Sequence, residues 1–560
     1  MTPAASPQRV LLISDFSPAN LQALLARSTD PLLEPSSAPL DTVYQTLLAP
    51  AEADAALVWT RPESVIPGFA ALLAGELADS EAMLEQVDRF IEAVLTAQAK
   101  IPVMLVASWT QPWYRRGLGM LDLKAPGGAA RALLAMNGRL VERLAPVRDV
   151  FVLDASRWAR AAGPRGDSPS GWYVAKLPYS PDALKIAAAD VAAALRGLRG
   201  GARKLLVVDL DDTLWGGIIG DVGWEGLSLG GHDPKGEAHQ DFQRALRSLA
   251  RRGVVLAIAS KNDEAVALDG IRRHPEMVLR EQDFASWRIN WRDKASNIVE
   301  IAEELNLGLQ HVVFIDDNPS ERGRIRETLP DVLVPDWPAD PLRYVSALEA
   351  LDCFDQPSIT DEDRARGAAY HAERQRQTAL RSVRSVEDWL ADLQLVITVE
   401  PLREATLVRA TQLLNKTNQM NLTTRRLTEL ELERWAATPG NACWTVTVAD
   451  RFGEAGLTGL VAVSVVGTRA TLQDFVLSCR VFGRQVEETM LHLAVDHAAA
   501  AGARVLVADF TPTAKNKPTL EFLRDRSRLK SDEADTYRWD CRDPYPVPSH
   551  VTLRRSERGA

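Results

Sequence analysis

The stretch from Lys204 to Gly220, KLLVVDLDDTLWGGIIG, constrains the fold more than any other. Its apolar run, Leu205 to Val208, has the length and character of a buried strand in a parallel sheet. Two carboxylates, Asp209 and Asp211, follow the run at once. Open α/β sheets bind ligands at the carboxyl ends of their strands. The pattern therefore predicts an α/β domain with a site at that edge.

The D-x-D-x-T pattern at Asp209, Asp211 and Thr213 suits phosphoryl transfer. One aspartate of the pair can attack a phosphoryl group while the other protonates the leaving oxygen. A charged loop after a strand has the same composition, and the pentapeptide alone does not separate the two interpretations. Further segments of the chain favour the catalytic interpretation.

Composition indicates a soluble globular protein of several domains. The chain has 560 residues, too many for one core, and we expect three domains. A net charge of −10 without a basic stripe argues against a nucleic-acid partner. No apolar stretch approaches the roughly 18 residues of a membrane span, and the first residues lack the apolar core of a secretory signal. The four cysteines are scattered and include no C-x-x-C pair, which argues against a structural zinc site. Their low number favours a reducing compartment. We therefore expect a cytoplasmic protein that does not bind membranes.

Residues 1–200 alternate strands with helices and predict a doubly wound α/β domain. The predicted strands are RVLLISDF, AALVWT, IPVMLVASW and DVFVLDAS. Helices are predicted at Phe69–Gln98 and Ala129–Leu144. Ser180 is expected to cap a helix that runs to about Leu198, before the Gly-rich boundary LRGLRGGAR.

Residues 201–355 predict a second α/β domain around the carboxylate strand. Two further strands, VVLAIAS and HVVFIDD, end in Ser260 and in Asp316-Asp317, and Lys294 lies between them. A hydroxyl at Ser260 is placed to hold a phosphoryl oxygen. WGGIIGDVGWEGLSLG predicts a small hairpin flap over the end of the first strand. A helix is predicted from about Lys235 to Arg252.

These segments resemble the haloacid dehalogenase (HAD) phosphatases in order, spacing and placement at strand ends. The resemblance implies a HAD-like Rossmannoid fold, with Asp209 as the nucleophile and Asp211 as the acid and base. The phosphate-binding residues that it implies are Thr213, Ser260 and Lys294. It also implies a bound Mg²⁺, held by the Asp209 carboxylate, the Asp211 carbonyl and Asp316. Further candidates for binding the substrate are Asn262, Arg288 and Arg322, although arginines on such surfaces are often only solvated.

Residues 356–560 predict an α+β domain that begins with the polar linker QPSITDEDRARG. Helices are predicted at about 364–384 and 385–393, and the stretch LVRATQLLNKTNQMNLTTRRLT is also helix-like. The predicted strands are LQLVITVEP, ACWTVTVAD, GLTGLVAVSVVG and RATLQDFVLSC. The last strand leads into RVFGRQVEETMLHLAVDHAAAAG, a glycine-containing loop and a helix.

That strand, loop and helix resemble the GNAT acetyltransferases, whose glycine loop cradles a pyrophosphate at a helix N-terminus. The resemblance implies a GNAT-like fold, in which the candidates for binding a carrier-linked pantetheine are Arg480, Gly483, Arg484 and Asn516. Gln485 stands where the family has a small residue, which disfavours ordinary coenzyme A and leaves room for a pantetheine arm.

Ser14-Asp15, directly after the first strand, resembles the nucleophile block of the SGNH hydrolases. All eight histidines lie at position 232 or later, so the first domain has no histidine to activate Ser14. We therefore expect an SGNH-like domain that is non-hydrolytic and serves in docking or structure.

Over nearly its full length the chain resembles the FkbH-like proteins, through VVDLDDTLWGGIIGD, INWRDKASNI, VVFIDDNPSER and LSCRVFGRQVE. The resemblance implies a bifunctional glyceryltransferase and phosphatase. Such an enzyme takes 1,3-bisphosphoglycerate, removes phosphate and loads the glyceryl group onto an acyl carrier protein for polyketide or related biosynthesis. Two alternatives stay open: a plain HAD phosphatase of a small metabolite with a separate acyltransferase domain, and a catalytically silent docking scaffold. The intact D-x-D-x-T set argues against the scaffold.

Cys479 is the thiol expected to accept the acyl group in the bifunctional hypothesis. It ends a predicted strand just before the glycine loop, where a helix N-terminus favours the thiolate. The alternative is a small buried strand residue, since free cysteines are often buried. Only the bifunctional hypothesis requires a covalent acyl-enzyme at Cys479.

Overall fold

The computed structural model of the chain divides into two compact units, Met1–Arg203 with Ser346–Ser358 and Lys204–Val345 with Ile359–Ala560. It describes residues 7–76, 79–112, 115–124, 127–231, 233–305, 307–359, 386–417, 419–478, 481–513, 516–533 and 535–556. The helix predicted at 364–384 lies outside these ranges. No helix within them combines the length and the apolar character needed to cross a bilayer.

The first unit contains a five-stranded parallel sheet in the order β2-β1-β3-β4-β5. Its strands are β1 (Gln8–Ile13), β2 (Leu33–Ser37), β3 (Ala55–Val58), β4 (Val103–Ala107) and β5 (Val150–Leu153). Successive residues of a strand point to opposite faces, so Val10 and Leu12 join one core while Leu11 and Ile13 join the other. Helices cover both faces, as is typical of parallel sheets. The predicted parallel α/β architecture is confirmed, while the SGNH likeness stays a prediction.

The helices of the first unit include the predicted ones, one of which is divided, and several that were not predicted. They are Ala19–Leu25, Val43–Leu48, Pro62–Val65, Pro67–Leu73, Ser80–Gln98, Ala129–Leu144, Ala155–Ala162, Pro169–Ala175 and Pro181–Leu198. Ser180 caps the last of them by accepting a hydrogen bond from the Ala183 amide at 3.3 Å. The single helix predicted over 69–98 is wrong. Gly75, with a φ of 87°, follows the end of the earlier helix, and Asp79 caps the later one.

Residues 346–358 pack with the first unit, although 346–355 were predicted to close the second domain. Arg196 donates to the Asp352 carboxylate at 2.9 Å, and the Arg203 amide donates to the Cys353 carbonyl at 2.7 Å. Gly197 permits this approach, because a Cβ there would lie 2.5 Å from the Asp355 carbonyl oxygen. The division into three domains stays a prediction.

The second unit begins with a four-stranded parallel sheet in the order β8-β7-β6-β9. Its strands are β6 (Leu205–Val208), β7 (Val255–Ser260), β8 (Phe284–Ile289) and β9 (Val312–Ile315). Strand β8 was not predicted. The helices of this part are Ile219–Val222, Pro234–Arg251, Glu264–Arg273, Lys294–Glu304 and Pro319–Thr328, and Tyr344–Glu349 follows them. Since β6 lies between β7 and β9, the carboxyl ends of these three strands are neighbours.

Residues 386–556 form a larger, mostly antiparallel sheet. Its strands are β10 (Val396–Pro401), β11 (Met420–Asn421), β12 (Asn441–Asp450), β13 (Gly453–Val466), β14 (Arg469–Leu477), β15 (Val505–Asp509), β16 (Lys530–Glu533), β17 (Thr536–Asp540) and β18 (Thr552–Arg555). The order is β16-β17-β15-β14-β13-β12-β10-β18, with β11 beside β14. Two of the pairings, β14 with β15 and β10 with β18, are parallel.

The helices of this last part are Val386–Asp392, Glu404–Lys416, Glu429–Ala437, Val486–Ala500 and Lys517–Asp525. The helix predicted over 407–428 is wrong beyond Lys416, because Met420 and Asn421 pair with β14 instead. The predicted strands and the helix after the glycine loop are present.

Candidate active site

Three neighbouring strands of the second sheet carry buried polar side chains at their carboxyl ends. Asp209 follows β6, Ser260 is the last residue of β7, and Asp316 follows β9. Asp209 is 7%, Ser260 1% and Asp316 0% exposed. Buried polar groups at this edge of a parallel sheet are typical of a ligand site. The structure therefore brings these three predicted residues to one place.

The second aspartate of the pair is held by three donors. Asp212 adopts a left-handed φ of 51° in the turn after β6. Asp211 accepts hydrogen bonds on one oxygen from the Trp215 indole at 2.9 Å and the Ile219 amide at 3.1 Å. Its other oxygen accepts from the Asn262 side-chain amide at 2.8 Å. Asn262, predicted to bind substrate, therefore orients Asp211, and Trp215 is a positioning residue that sequence reasoning missed.

Burial is the main influence on the ionisation of Asp211. It raises the pKa of this carboxyl above its ordinary value, and the nearby Asp209 charge acts in the same direction. The three hydrogen bonds oppose this effect without cancelling it. A carboxyl group with a raised pKa is better able to hold and donate a proton.

Lys294 bridges two of the carboxylates at the strand ends. Its ammonium lies 2.9 Å from Asp209 Oδ2 and 2.6 Å from Asp316 Oδ2, and the side chain is almost fully buried. Lys294 begins the helix Lys294–Glu304, which Asp293 caps, so the backbone fixes its starting point. Although burial opposes the charge, the two carboxylates raise the pKa of Lys294 above its usual range. Lys294 therefore stays a cation in contact with the proposed nucleophile.

A cluster of three carboxylates at this edge fits a metal ion. Asp209, Asp316 and Asp317 each offer an oxygen, and these atoms lie within 4.8 Å of one another. Asp209 Oδ1 is buried and accepts no hydrogen bond from any of the described residues. Burial and the Asp209 charge raise the pKa of Asp316 and of Asp317, as expected for like charges held together. Hard carboxylate oxygens with an unsatisfied atom suit Mg²⁺.

Two residues outside the acidic cluster hold it in position through hydrogen bonds. The fully buried Thr213 hydroxyl donates to Asp317 Oδ1 at 3.2 Å and accepts from the Asp317 amide at 3.0 Å. Arg322 donates to the carbonyl oxygens of Asp316 and Asp317 at 2.6 and 2.7 Å. Thr213 was predicted to bind phosphate and Arg322 to bind substrate. The structure instead gives both residues contacts that orient the metal-binding end of β9.

Arg288 is also engaged away from the strand ends. Its guanidinium pairs with Glu300 at 2.9 Å and with Glu304 at 2.8 Å, both on the helix Lys294–Glu304. These contacts attach β8 to that helix. The prediction that Arg288 binds substrate therefore has no support in the geometry.

The segment after the D-x-D-x-T pattern is a compact loop, and the predicted hairpin flap is wrong in detail. Only Gly216 and Ser228 pair, with amide-to-carbonyl distances of 3.0 and 2.9 Å. Between them lies the short helix Ile219–Val222. The Ile219 side chain packs so closely on the helix Glu264–Arg273 that a Cβ at Gly270 would lie 2.5 Å from it. The loop is thus anchored beside the carboxylate Asp211.

The residues predicted to bind a pantetheine arm have other partners where they are described. Cys479 and Arg480 lie outside the described residues. The Gly483 amide donates to the Glu487 carboxylate at 3.1 Å. Asn516, fully buried, accepts from the Thr513 amide at 2.7 Å and donates to two carbonyl groups. The contacts of Gly483 and Asn516 are therefore internal to the fold.

Arg484, the remaining residue of that set, is buried in an ion pair. Its guanidinium lies 3.2 Å from Asp450 Oδ2, and the two side chains are 3% and 1% exposed. The predicted contact of Arg484 with a carrier or pantetheine is therefore corrected to a structural pairing inside the sheet domain.

Breaking this buried pair should strongly destabilise residues 386–556. We expect Asp450→Asn to lower the free energy of unfolding by about 3–5 kcal/mol, because a neutral amide would replace the carboxylate that faces the buried Arg484 charge. Chemical denaturation measures the change. The matched control is Asp392→Asn, which breaks the exposed Arg451–Asp392 pair and should cost less than about 1 kcal/mol. Equal effects of the two variants would contradict the assignment of Arg484 and Asp450 as a buried structural ion pair.

Solved structures provide the comparison with known proteins. The N-terminal part of a Bacteroides fragilis protein, containing a phosphatase domain and complexed with Mg, is similar at a TM-score of 0.58 and 27% identity. The match covers 63% of this chain and 95% of that one. No protein-family model and no curated protein sequence matches the chain.

GNAT-family structures also match, at much lower scores. An acetyltransferase from Staphylococcus aureus is similar at a TM-score of 0.20 and 9% identity, covering 26% of this chain and 99% of that one. A putative acetyltransferase from Desulfovibrio desulfuricans is similar at a TM-score of 0.21 and 14% identity. That match covers 26% of this chain and 99% of the other. The likeness to the Bacteroides fragilis structure confirms the prediction of an enzyme with a phosphatase part.

Proposed function

We propose that the second sheet carries a phosphatase site in which Asp209 is the nucleophile and Asp211 the acid and base. The observation that carries the proposal is the Asp209 carboxylate. Lys294 holds one of its oxygens at 2.9 Å, and the other is buried without a hydrogen-bond donor among the residues described. A carboxylate oriented in this way at the carboxyl edge of a parallel sheet is suited to attack a phosphoryl group.

The proposed reaction uses the two aspartates in turn. An Asp209 oxygen forms a bond to phosphorus while the bond from phosphorus to the leaving oxygen breaks. Asp211 donates its proton to that leaving oxygen, and later accepts a proton from the water that releases phosphate from Asp209. Trp215 and Asn262 hold the Asp211 carboxyl in one orientation for both steps. Lys294 offsets negative charge on the transferred group.

A divalent cation belongs to this proposal. Asp209, Asp316 and Asp317 would hold Mg²⁺ through their carboxylates, with Thr213 and Arg322 keeping the last two in place. The Asp211 carbonyl stays a predicted further ligand. When bound, Mg²⁺ offsets the repulsion between the Asp209 carboxylate and an anionic phosphate.

The finer proposal concerns the substrate and the acceptor. The resemblance to FkbH-like proteins supports 1,3-bisphosphoglycerate as the substrate and an acyl carrier protein as the acceptor of the glyceryl group. The acyl phosphate of that substrate is already activated for attack by a thiol, whereas its phosphate ester needs a phosphatase. The second candidate is a plain phosphatase of a small metabolite with a separate acyltransferase domain. The internal contacts of Arg484 and Asn516 favour this candidate, because neither residue is free to bind a carrier arm.

Removing the metal should abolish release of the ester phosphate. We expect the chain given 1,3-bisphosphoglycerate and excess chelator to lose phosphatase activity, and added Mg²⁺ to restore it, because Asp209 would otherwise repel the substrate. Phosphate release is measured above an enzyme-free blank, since the acyl phosphate hydrolyses by itself. Undiminished activity in excess chelator would contradict the metal assignment. The same incubations with a phosphopantetheinylated carrier protein separate the two candidates, because only a glyceryltransferase adds a glyceryl mass to the carrier.

A further inference from the structure

A second site lies in the first unit, at the point where its strand order reverses. The chain passes from β1 outward to β2 and then returns to β3 on the other side of β1. In open parallel sheets the crevice at such a reversal is where ligands bind. A cavity of about 590 Å³ opens there, between the segments that follow β1, β2 and β3 and the helix Pro169–Ala175. Ligand pockets commonly have volumes of about 300–1,000 Å³.

A buried hydrogen-bond network forms the floor of this cavity. Asp15, which is 9% exposed, accepts from the Arg61 backbone amide at 2.8 Å and from the Arg61 guanidinium at 2.7 Å. The Ser64 hydroxyl also donates to Asp15. The Arg61 guanidinium in turn lies 3.6 Å from the centre of the Trp172 ring. The charges of Asp15 and Arg61 therefore neutralise each other in the floor of the cavity.

Two further charged residues line the cavity without such pairing. Lys176 places its ammonium 4.6 Å from the centre of the Trp172 ring, and Asp41 lies on the segment that follows β2. Both residues are exposed to solvent, and neither forms an ion pair within 4.0 Å with another residue that the structure describes. The remaining wall includes apolar side chains, such as those of Leu40 and Val65. The cavity thus offers one free positive charge, one free negative charge and an apolar surface.

The cavity lacks the groups of a serine hydrolase. The Ser14 hydroxyl donates to the Phe16 carbonyl at 2.6 Å and is buried. No histidine occurs before position 232 in the sequence. The cavity therefore lacks the serine–histidine pair on which a serine hydrolase depends.

We propose that this cavity binds a zwitterionic small molecule of dipeptide size, with its carboxylate on Lys176 and its ammonium on Asp41. A zwitterion keeps the charge of the lined cavity balanced, whereas an anion or a cation alone would leave one charged side chain unpaired. A dipeptide is about 7 Å long when extended, and its two charged groups lie at opposite ends. Its apolar side chains would face Leu40 and Val65. This proposal concerns the first unit and is independent of the phosphatase site.

The test is a calorimetric titration of the full chain with leucylleucine and two derivatives that each lack one charge. N-acetyl-leucylleucine keeps only the carboxylate, and leucylleucinamide keeps only the ammonium. We expect leucylleucine to bind at least about tenfold more tightly than either derivative. Lys176→Gln should weaken leucylleucine and the N-acetyl derivative, and Asp41→Asn should weaken leucylleucine and the amide, each by about tenfold.

The matched controls are Lys185→Gln and Asp182→Asn, which remove one exposed charge each from the same unit, away from the cavity. Both should bind leucylleucine as the unmodified chain does. A derivative that binds as tightly as leucylleucine would overturn the proposal, because the site would then recognise a simple anion or cation. Absence of binding by leucylleucine, or equal losses in the control variants, would overturn it as well.

Discussion

Asp209→Asn should abolish release of the ester phosphate while the protein stays folded. The amide matches the carboxylate in shape but is a far poorer nucleophile, so we expect activity to fall by at least about three orders of magnitude. The fold should survive because Lys294 keeps its contact with Asp316 at 2.6 Å. The change also removes one of three crowded negative charges. Phosphate release and thermal unfolding of the same preparation measure the two effects.

The adjacent Asp212 offers a matched control for this experiment. It is exposed, and its carboxylate accepts a hydrogen bond from the Gly217 amide at 2.7 Å. Asn tolerates the left-handed backbone of this position and preserves an acceptor oxygen. Asp212→Asn should therefore release phosphate at close to the normal rate. Normal phosphate release by Asp209→Asn would refute the proposed nucleophile.

The chain given 1,3-bisphosphoglycerate without carrier protein should gain a glyceryl or phosphoglyceryl mass on Cys479, and Cys479→Ala should gain none. The thiolate would attack the acyl carbon, and the acyl phosphate would leave as phosphate. The resulting thioester should be cleaved by hydroxylamine. In Asp209→Asn the phosphoglyceryl form should accumulate if acylation comes first, because that variant cannot remove the ester phosphate. Intact-protein mass spectrometry detects each species.

Cys443 provides the control for the thiol. Burial raises the pKa of Cys443 well above its ordinary value, so it should stay an unreactive thiol. Cys443→Ala should therefore gain the same mass as the unmodified chain. If Cys479→Ala still charges carrier protein at the unmodified rate, the pantetheine thiol of the carrier attacks the anhydride directly. Residues 386–556 would then position the carrier and not supply a nucleophile.

The elements that could be predicted from the sequence are those with strong local patterns. The apolar run before Asp209 and the cap at Ser180 lie where the residues indicate. Strand β2, LEPSS, was missed because it is an edge strand with a proline and two serines, and edge strands tolerate such residues. Strand β8, FASWRI, was missed because it mixes apolar and polar residues in no regular order. Only pairing with a neighbour identifies strands of this kind.

The residues of the candidate site also fall into two groups, those that local sequence patterns predict and those that they do not. The strand-end positions of Asp209, Ser260 and Asp316 follow from their spacing after apolar runs. The roles of Arg288 and Arg322 could not be predicted, because a guanidinium can form an ion pair, donate to a backbone carbonyl or bind a ligand equally well. The contact between Trp215 and Asp211 depends on a turn whose shape no local pattern specifies. Tertiary contacts decide these roles.

The parallel pairing of β10 with β18 leaves one edge of β10 unpaired while the chain is being translated. Val396 pairs with Thr552, so the ribosome must add about 150 residues after β10 before its partner emerges. During that interval one edge of β10 presents unpaired backbone amides and carbonyls to other nascent chains. Chains still being translated are therefore more prone to edge-to-edge association than finished ones, and loss of residues 552–555 would make that exposure permanent.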